Sequence, residues 1–231
     1  MMIKFLTSVV VASAALAASP ALAVDAFTVF NGTNGTGGFY YGSASGTALS
    51  DYNVTATGGC FLPGGTCLYS SASPDGVIPG VVKGGSYSTV DYDGTTLAMH
   101  PSNSLDTFAA FRATTAGKYA YTIKLKAIGT DSVNGVGVTD FTSVANVATL
   151  GSRQVLPGYT SATTLSGQVV LAAGQQFGAI VDANGNYGGD TTALTFGVTA
   201  VPEPAQWALM IGGFGFVGGA MRRRRATLVA A

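Results

Sequence analysis

The chain has 231 residues, 33 of them glycine, and only 10% are charged. Eleven cations balance eleven acids overall, but residues 24–204 carry six cations (Lys83, Arg112, Lys118, Lys124, Lys126, Arg153) against eleven acids (ten Asp and Glu203), a net charge of −5. Six scattered cations on a mildly acidic segment exclude a nucleic-acid footprint, and the dominance of Gly, Ser, Thr and Ala favours turn-rich β-structure over long helices.

The N-terminus has Lys4, an apolar stretch over 5–18, and then Ser19-Pro20-Ala21-Leu22-Ala23. Ala21 and Ala23 make a small-x-small cleavage site, so 1–23 reads as a signal peptide and Val24 as the mature N-terminus. Residues 31–38, Asn-Gly-Thr-Asn-Gly-Thr-Gly-Gly, read as a long loop. Weakly patterned strands are expected over 26–30, 51–57 and 77–82, held to short pieces or edges by Pro63, Pro74 and Pro79. Cys60 and Cys67 are the only cysteines, with six residues between them. In an oxidising exported setting they are expected to close a small disulfide loop. The spacing does not suit a redox pair, and a zinc site lacks partners.

Beyond residue 85 the pattern strengthens. Strands are expected over 86–92, ending in the turn pair Asp93-Gly94, and over 95–100 and 107–113. In the next segment Tyr119, Tyr121, Ile123, Leu125 and Ala127 fall on one face and Lys118, Thr122, Lys124 and Lys126 on the other. That period of two marks a half-buried antiparallel strand. Further strands are expected over 133–138, 141–148, 154–156, 163–171, 176–182 and 192–199, the last with Leu194, Phe196 and Val198 on one face. Many short strands at this spacing indicate a β-sandwich or barrel.

Leu97-x-Met99-His100-Pro101, Phe111-Arg112-Ala113-Thr114-Thr115-Ala116-Gly117-Lys118-Tyr119, Leu171-Ala172-Ala173-Gly174-Gln175 and the stretch 184–190 resemble the recurring core of exported jelly-roll domains. The resemblance spans about residues 86–199 and implies an antiparallel, jelly-roll-like β-sandwich. Many such domains have an acidic residue where Gln175 stands and Pro where Thr114 or Thr115 stands, so no binding residue is carried across.

Chemistry is sparse. His100, the only histidine, precedes a proline at a strand end and reads as a turn hydrogen-bonding group. No Gly-x-Ser-x-Gly elbow accompanies it. Paired carboxylates occur as Asp91 with Asp93 and Asp182 with Asp190, but a glycosidase needs its pair in a cleft. Asp182-x-Asn184-x-Asn186 alternates oxygen donors as calcium loops do. Tyr187 stands at the sixth position and Ala193 at the twelfth, so it is not an EF-hand; an irregular site drawing on Asp182, Asn184, Asn186 or Asp190 is the one metal expectation, and no other cofactor is expected. Tyr40, Tyr41, Tyr69, Tyr87, Tyr159 and Tyr187 fall in or near expected loops, where an exposed subset would suit stacking on sugars.

The C-terminus is the most informative segment. Pro202-Glu203-Pro204 leads to Trp207, an uncharged run to Met221, and Arg222-Arg223-Arg224-Arg225. Fifteen residues make about 22 Å of helix, short of the ~30 Å hydrocarbon core but tolerable with snorkelling arginines and bilayer thinning. Trp207 stands where an interfacial anchor belongs, and the arginines would stay on the cytoplasmic side. These residues resemble the PEP-CTERM sorting signal in its PEPxxWA form. That resemblance implies export, transient retention in the inner membrane, and cleavage near Pro-Glu-Pro by an exosortase, giving surface or matrix proteins of Gram-negative bacteria that make exopolysaccharide. The logic parallels a GPI signal, whose apolar tail is removed.

The expected organisation is therefore a signal helix over 1–23, a turn-rich β region with the disulfide loop over 24–85, and a sandwich core over 86–200 forming one domain with it. A sorting signal with a transmembrane helix follows over 201–225, and a tail over 226–231. The expected product is a non-enzymatic surface or exopolysaccharide-matrix protein, structural or adhesive, partnered in transit by signal peptidase, exosortase and the inner membrane. A carbohydrate- or calcium-binding module is the alternative and a secreted hydrolase the third.

Overall fold

The computed structural model describes residues 23–132, 134–202 and 211–218. In chain order the elements are β1 (Ala23–Asp25), the one-turn helix α1 (Ala26–Val29), a 3-10 turn at Thr36–Gly38, β2 (Phe39–Ser45), β3 (Ala48–Asp51), β4 (Val54–Thr57), β5 (Thr66–Tyr69), β6 (Gly80–Lys83) and β7 (Leu97–His100). They continue as β8 (Asp106–Arg112), β9 (Gly117–Ala127), β10 (Val136–Val144), β11 (Val147–Leu156), β12 (Ala162–Leu171), β13 (Gln176–Asp182) and β14 (Thr192–Val201).

Leu22–Val201 is one compact unit built from two antiparallel sheets. The first runs β12-β9-β14-β7-β6-β5-β4, with β1 added to β14. The second runs β10-β11-β3-β2-β8-β13 and returns to β10. The alternation expected along β9 is present: Tyr119, Ile123, Leu125 and Ala127 are buried, while Lys118, Thr122, Lys124 and Lys126 are exposed. Leu194, Phe196 and Val198 are buried beside them. Between the sheets, Phe39, Phe111, Phe177, Phe196, Tyr119 and Tyr121 form a chain of edge-on and tilted rings 4.8–6.1 Å apart. Aromatic pairs favour those arrangements.

The second sheet departs from simple alternation. The burial of β8 and β13 is nearly continuous, because the sheet curls and buries its outer face as well. The tip of the β10–β11 hairpin reaches the β2–β3 hairpin, where Leu49 N donates to Asn146 O at 2.9 Å and Ala148 N to Thr47 O at 2.8 Å. Inside the curl lie Ala44, Leu49, Phe108, Ala110, Phe141, Ala148 and Ile180. Gly42 is required there, since a Cβ would strike the Phe108 ring and the Ser50 carbonyl.

The disulfide loop and the loop over 84–96 cover the outer face of β5–β7, burying Cys60, Leu62, Cys67, Val82, Ala98 and Ile128. Cys60 and Cys67 are bonded, with Cα atoms 5.7 Å apart.

Several sequence expectations are corrected. Residues 26–29 are helical, because Asp25 accepts from Thr28 N at 3.0 Å and caps the turn. Residues 86–92 form a turn with two isolated bridges, Tyr87↔Val90 and Val90↔Gly129, following left-handed Gly84 and Gly85. The span 51–57 breaks into β3 and β4, which belong to different sheets. Phe39–Ser45, where no strand was expected, is a full strand. The strands expected over 133–138, 141–148 and 154–156 are one hairpin, β10–β11, turning at Ala145 and Asn146 with φ of 49° and 64°. That is the two-residue turn whose twist suits a hairpin. Residues 211–218 are helical. Among the described residues no helix is long and apolar enough to cross a membrane. The expected transmembrane span over 207–221 extends beyond them, and the signal helix expected over 1–23 lies outside them except for Ala23, which is a strand residue.

Candidate functional site

Two expected processing points flank the sandwich. Ala23 lies opposite Thr199, Val24 opposite Val198 and Asp25 opposite Gly197, so the chain enters and leaves the domain on neighbouring antiparallel strands. Residues 24 and 25 are strand residues, and the mature N-terminus expected from Ala23 would be held in the first sheet. Pro202 directly follows β14. Ala21, Glu203, Pro204, Trp207, Arg222, Arg223, Arg224 and Arg225 lie outside the described residues.

The candidate calcium loop connects β13 to β14. Asp182 is engaged by Arg153, which donates through Nε at 2.8 Å and Nη2 at 2.7 Å. The same Nη2 donates to Asn184 Oδ1 at 2.8 Å. A guanidinium thus sits between two of the four oxygen donors that the spacing suggested. Asn184 takes a left-handed φ of 44°, and its Nδ2 donates to Asn134 O at 2.6 Å. Asn186 closes its own turn by accepting from Gly188 N at 3.0 Å. Asp190 is 0% exposed. Its Oδ1 accepts from Ser132 Oγ at 3.0 Å, and its Oδ2 has no partner among the described residues. Burial pushes the Asp190 carboxyl up to about 7, and the charges of Asp182 and Asp131 add to the rise. Asp106, at the start of β8, is pushed to about 6 by burial and by Asp182. Among the described residues no group of three or more His, Cys, Asp or Glu has metal-holding geometry.

Arg153 is the residue that sequence reasoning missed. It lies 29 positions before Asp182, and only the pairing of β11 and β13 on either side of β10 brings the two together. Gly137 of β10 makes the room, since a Cβ there would overlap the Asp182 carboxylate and Arg153.

The outer face of β12, β9 and β14 carries a shallow cleft of about 280 Å³. Lys124, Lys126, Thr164 and Thr195 of the strands line it, together with Asp91, Tyr92, Asp93 and Thr96 of the loop over 84–96. Asp91 accepts from the Tyr159 hydroxyl at 2.8 Å, which holds that ring beside the cleft. Asp93 instead caps its own turn, accepting from Thr95 N at 2.8 Å and Oγ1 at 2.7 Å. The carboxylate pair noted in the sequence is therefore divided between a tyrosine and a turn.

Of the six tyrosines singled out, Tyr87 and Tyr159 are well exposed. Tyr41 is buried in β2, and Tyr40 lies under the Arg112 guanidinium, 3.7 Å from its carbon. Both are strand residues of β2, close to the loop expected over 31–38. His100 Nδ1 is 2.6 Å from Pro101 O, and its ring meets Phe61 and Tyr187 edge-on at 5.4 and 6.1 Å. Burial holds its pKa below the usual imidazole value.

One family model matches part of the chain. Residues 200–225 match the PEP-CTERM protein-sorting motif, so the matched segment begins on the last two residues of β14. Among curated proteins none matches the chain. Matches among solved structures include Eiger TNF from S. frugiperda, 13% identical over 41% of this chain and 65% of that one, with a TM-score of 0.30. The GH26-CBM35 β-(1,4)-mannanase of Podospora anserina is 16% identical over 71% of this chain and 29% of that one, at 0.32. A variant of a family 29 carbohydrate binding module is 12% identical over 80% of this chain and 99% of that one, at 0.37. The first two matches thus span less than two thirds of the matched proteins' own length. Likeness at this level bears on neither ligand nor activity.

Proposed function

We propose that the chain is an exported surface or exopolysaccharide-matrix protein with a non-enzymatic, structural or adhesive role. Signal peptidase cuts after Ala23, and an exosortase cuts near Glu203-Pro204 while the apolar run to Met221 holds the chain in the inner membrane of a Gram-negative host. The match of residues 200–225 to the PEP-CTERM sorting motif carries this reading. The adjacency of Ala23 and Thr199 supports it, because both cuts would then fall at strand ends and leave the sandwich whole.

Mass spectrometry of the surface or secreted protein tests the route. The expected species begins at Val24 and ends near Pro204. A mature species that still carries Arg222–Arg225 would sink it.

The cleft beside Tyr159 favours a second reading, a carbohydrate-binding module. Hydroxyls, lysines and a fixed exposed ring are groups that contact sugars. Affinity electrophoresis in gels containing the host's polysaccharide separates the two. Retardation abolished by Tyr159→Ala supports the module, and unchanged mobility supports the structural role.

A further inference from the structure

The strands at the ends of the first sheet and at the single-pair β11–β3 seam that closes the second are not treated alike. Strand β4 is four residues long, and the segment around Gly32 lies over it: Thr55 Oγ1 donates to Gly32 O, and a Cβ on Gly32 would sit 2.6 Å from Thr55 Cγ2. Strand β3 is equally short and meets the tip of β11. Strand β11 is long but interrupted. Between Thr139 and Phe141 its register shifts, Ser152 N turns to the Asp140 carboxylate at 3.0 Å, and Arg153 places an ion pair next to the bulge. Short length, a covering segment, a bulge and a charge are the devices by which proteins keep open edges from pairing.

Strand β12 has none of them. Its sequence, Ala-Thr-Thr-Leu-Ser-Gly-Gln-Val-Val-Leu, contains no charge and no proline. It pairs with β9 through ten unbroken positions, Ala162↔Lys126 to Leu171↔Gly117. At ~3.3 Å per residue this is an uninterrupted edge about 33 Å long. Among the described residues no strand pairs with its other side. Val170 is 74% exposed there. The outward backbone groups of such an edge form a row with the spacing of another extended polypeptide, a ready template for pairing.

We propose that this polypeptide is β12 of a second copy, paired antiparallel about a two-fold axis at Gly167. The register follows from the side chains. With Gly167 opposite itself, Leu165 of each copy faces Val169 of the other on the inner side of the sheet, where both already pack against the core. On the outer side Ser166 faces Gln168, and Thr164 faces Val170. Every cross-strand pair is apolar with apolar, polar with polar, or threonine with valine or leucine (Thr164 with Val170, Thr163 with Leu171), and no charge lies on the strand to oppose its own copy. A C2 contact requires this self-complementarity. The joined sheets would run without a break from one copy to the next, a use suited to a structural protein but independent of where sorting delivers it.

The exported, processed protein provides the test. In sedimentation equilibrium at tens of micromolar it is expected to show about twice the monomer mass. Ser166→Lys with Gln168→Lys sets four ammonium groups at the junction and is expected to return it to monomer; far-UV circular dichroism checks that the fold persists. Register is read separately, by mixing a Ser166→Cys variant with a Gln168→Cys variant. The mixture is expected to form an intermolecular disulfide well in excess of either variant alone, because only 166 and 168 face each other. A monomer at that concentration, a dimer untouched by the two lysines, or a mixture no more cross-linked than its components would each overturn the proposal. If the first result came with capture of a different extended peptide, the edge would belong to another partner.

Discussion

Asp190 gives the sharpest test of the electrostatics at the β13–β14 end. Its side chain is 0% exposed, with one oxygen on Ser132 Oγ and the other unpartnered among the described residues. Burial raises its pKa most, the Ser132 bond pulls it back, and Asp182 and Asp131 raise it further, from 3.8 to about 7. Between those two values the native state keeps a proton that the unfolded chain has released, so stability falls as pH rises. The contribution is fully present below pH ~4 and lost once pH passes ~7. At about 1.4 kcal/mol per unit, the part falling between pH 5 and 8 is on the order of 3 kcal/mol. Asp190→Asn keeps an acceptor for Ser132 and removes the titration. Urea unfolding of both proteins at constant ionic strength, from pH 5 to 8, measures the difference. The variant is expected to lose much less stability over that range. A residual slope below pH 6 should persist, because Asp106 is raised to about 6 in the same direction. Parallel pH profiles for the two proteins would refute the reasoning.

Phe196 is 0% exposed, with Phe39 and Phe177 at 5.0 and 5.5 Å; Phe196→Ala is expected to cost about 3–5 kcal/mol, read as a lowered urea midpoint with an unchanged slope. Replacing both Cys60 and Cys67 with Ser opens the loop that covers the outer face of β5–β7 and is expected to cost about 2 kcal/mol, seen as a lower melting temperature without reductant. Gly137→Ala drives a methyl into the Asp182–Arg153 pair and is expected to destabilise by about 1–3 kcal/mol, while Arg153→Ala in the same background should add little further loss. Because Arg153 already neutralises Asp182 and bonds Asn184, EDTA is expected to leave the melting temperature unchanged; a drop reversed by calcium would show a cation in that loop.

Legibility varied with the physics of each segment. Strand β9 was readable because one face is core and the other solvent, so its side chains alternate. Strand β2 was not, because Tyr40, Gly42 and Ala44 lie on a face covered by the curl of its own sheet or by Arg112. Burial on both sides erases the period of two. Residues 86–92 have a strand-like composition, yet two left-handed glycines and the Tyr87–Val90 turn set them across the outer face. The oxygen spacing of Asp182, Asn184 and Asn186 was visible, whereas the guanidinium that meets two of them comes from a distant strand.

The amino-acid sequence by itself determined the sorting motif, the antiparallel β class, the disulfide and the alternating strands. Each of these is a local signal, carried by residue type and spacing within a few tens of positions. Only the tertiary structure decided that the second sheet closes on itself, that Arg153 meets Asp182, that Ala23 lies beside Thr199, and that β12 presents a long, uninterrupted edge with no partner strand among the described residues. Those outcomes depend on which strands become neighbours. Strand pairing joins positions far apart in the chain through backbone groups that every residue shares, so the local pattern does not record the choice.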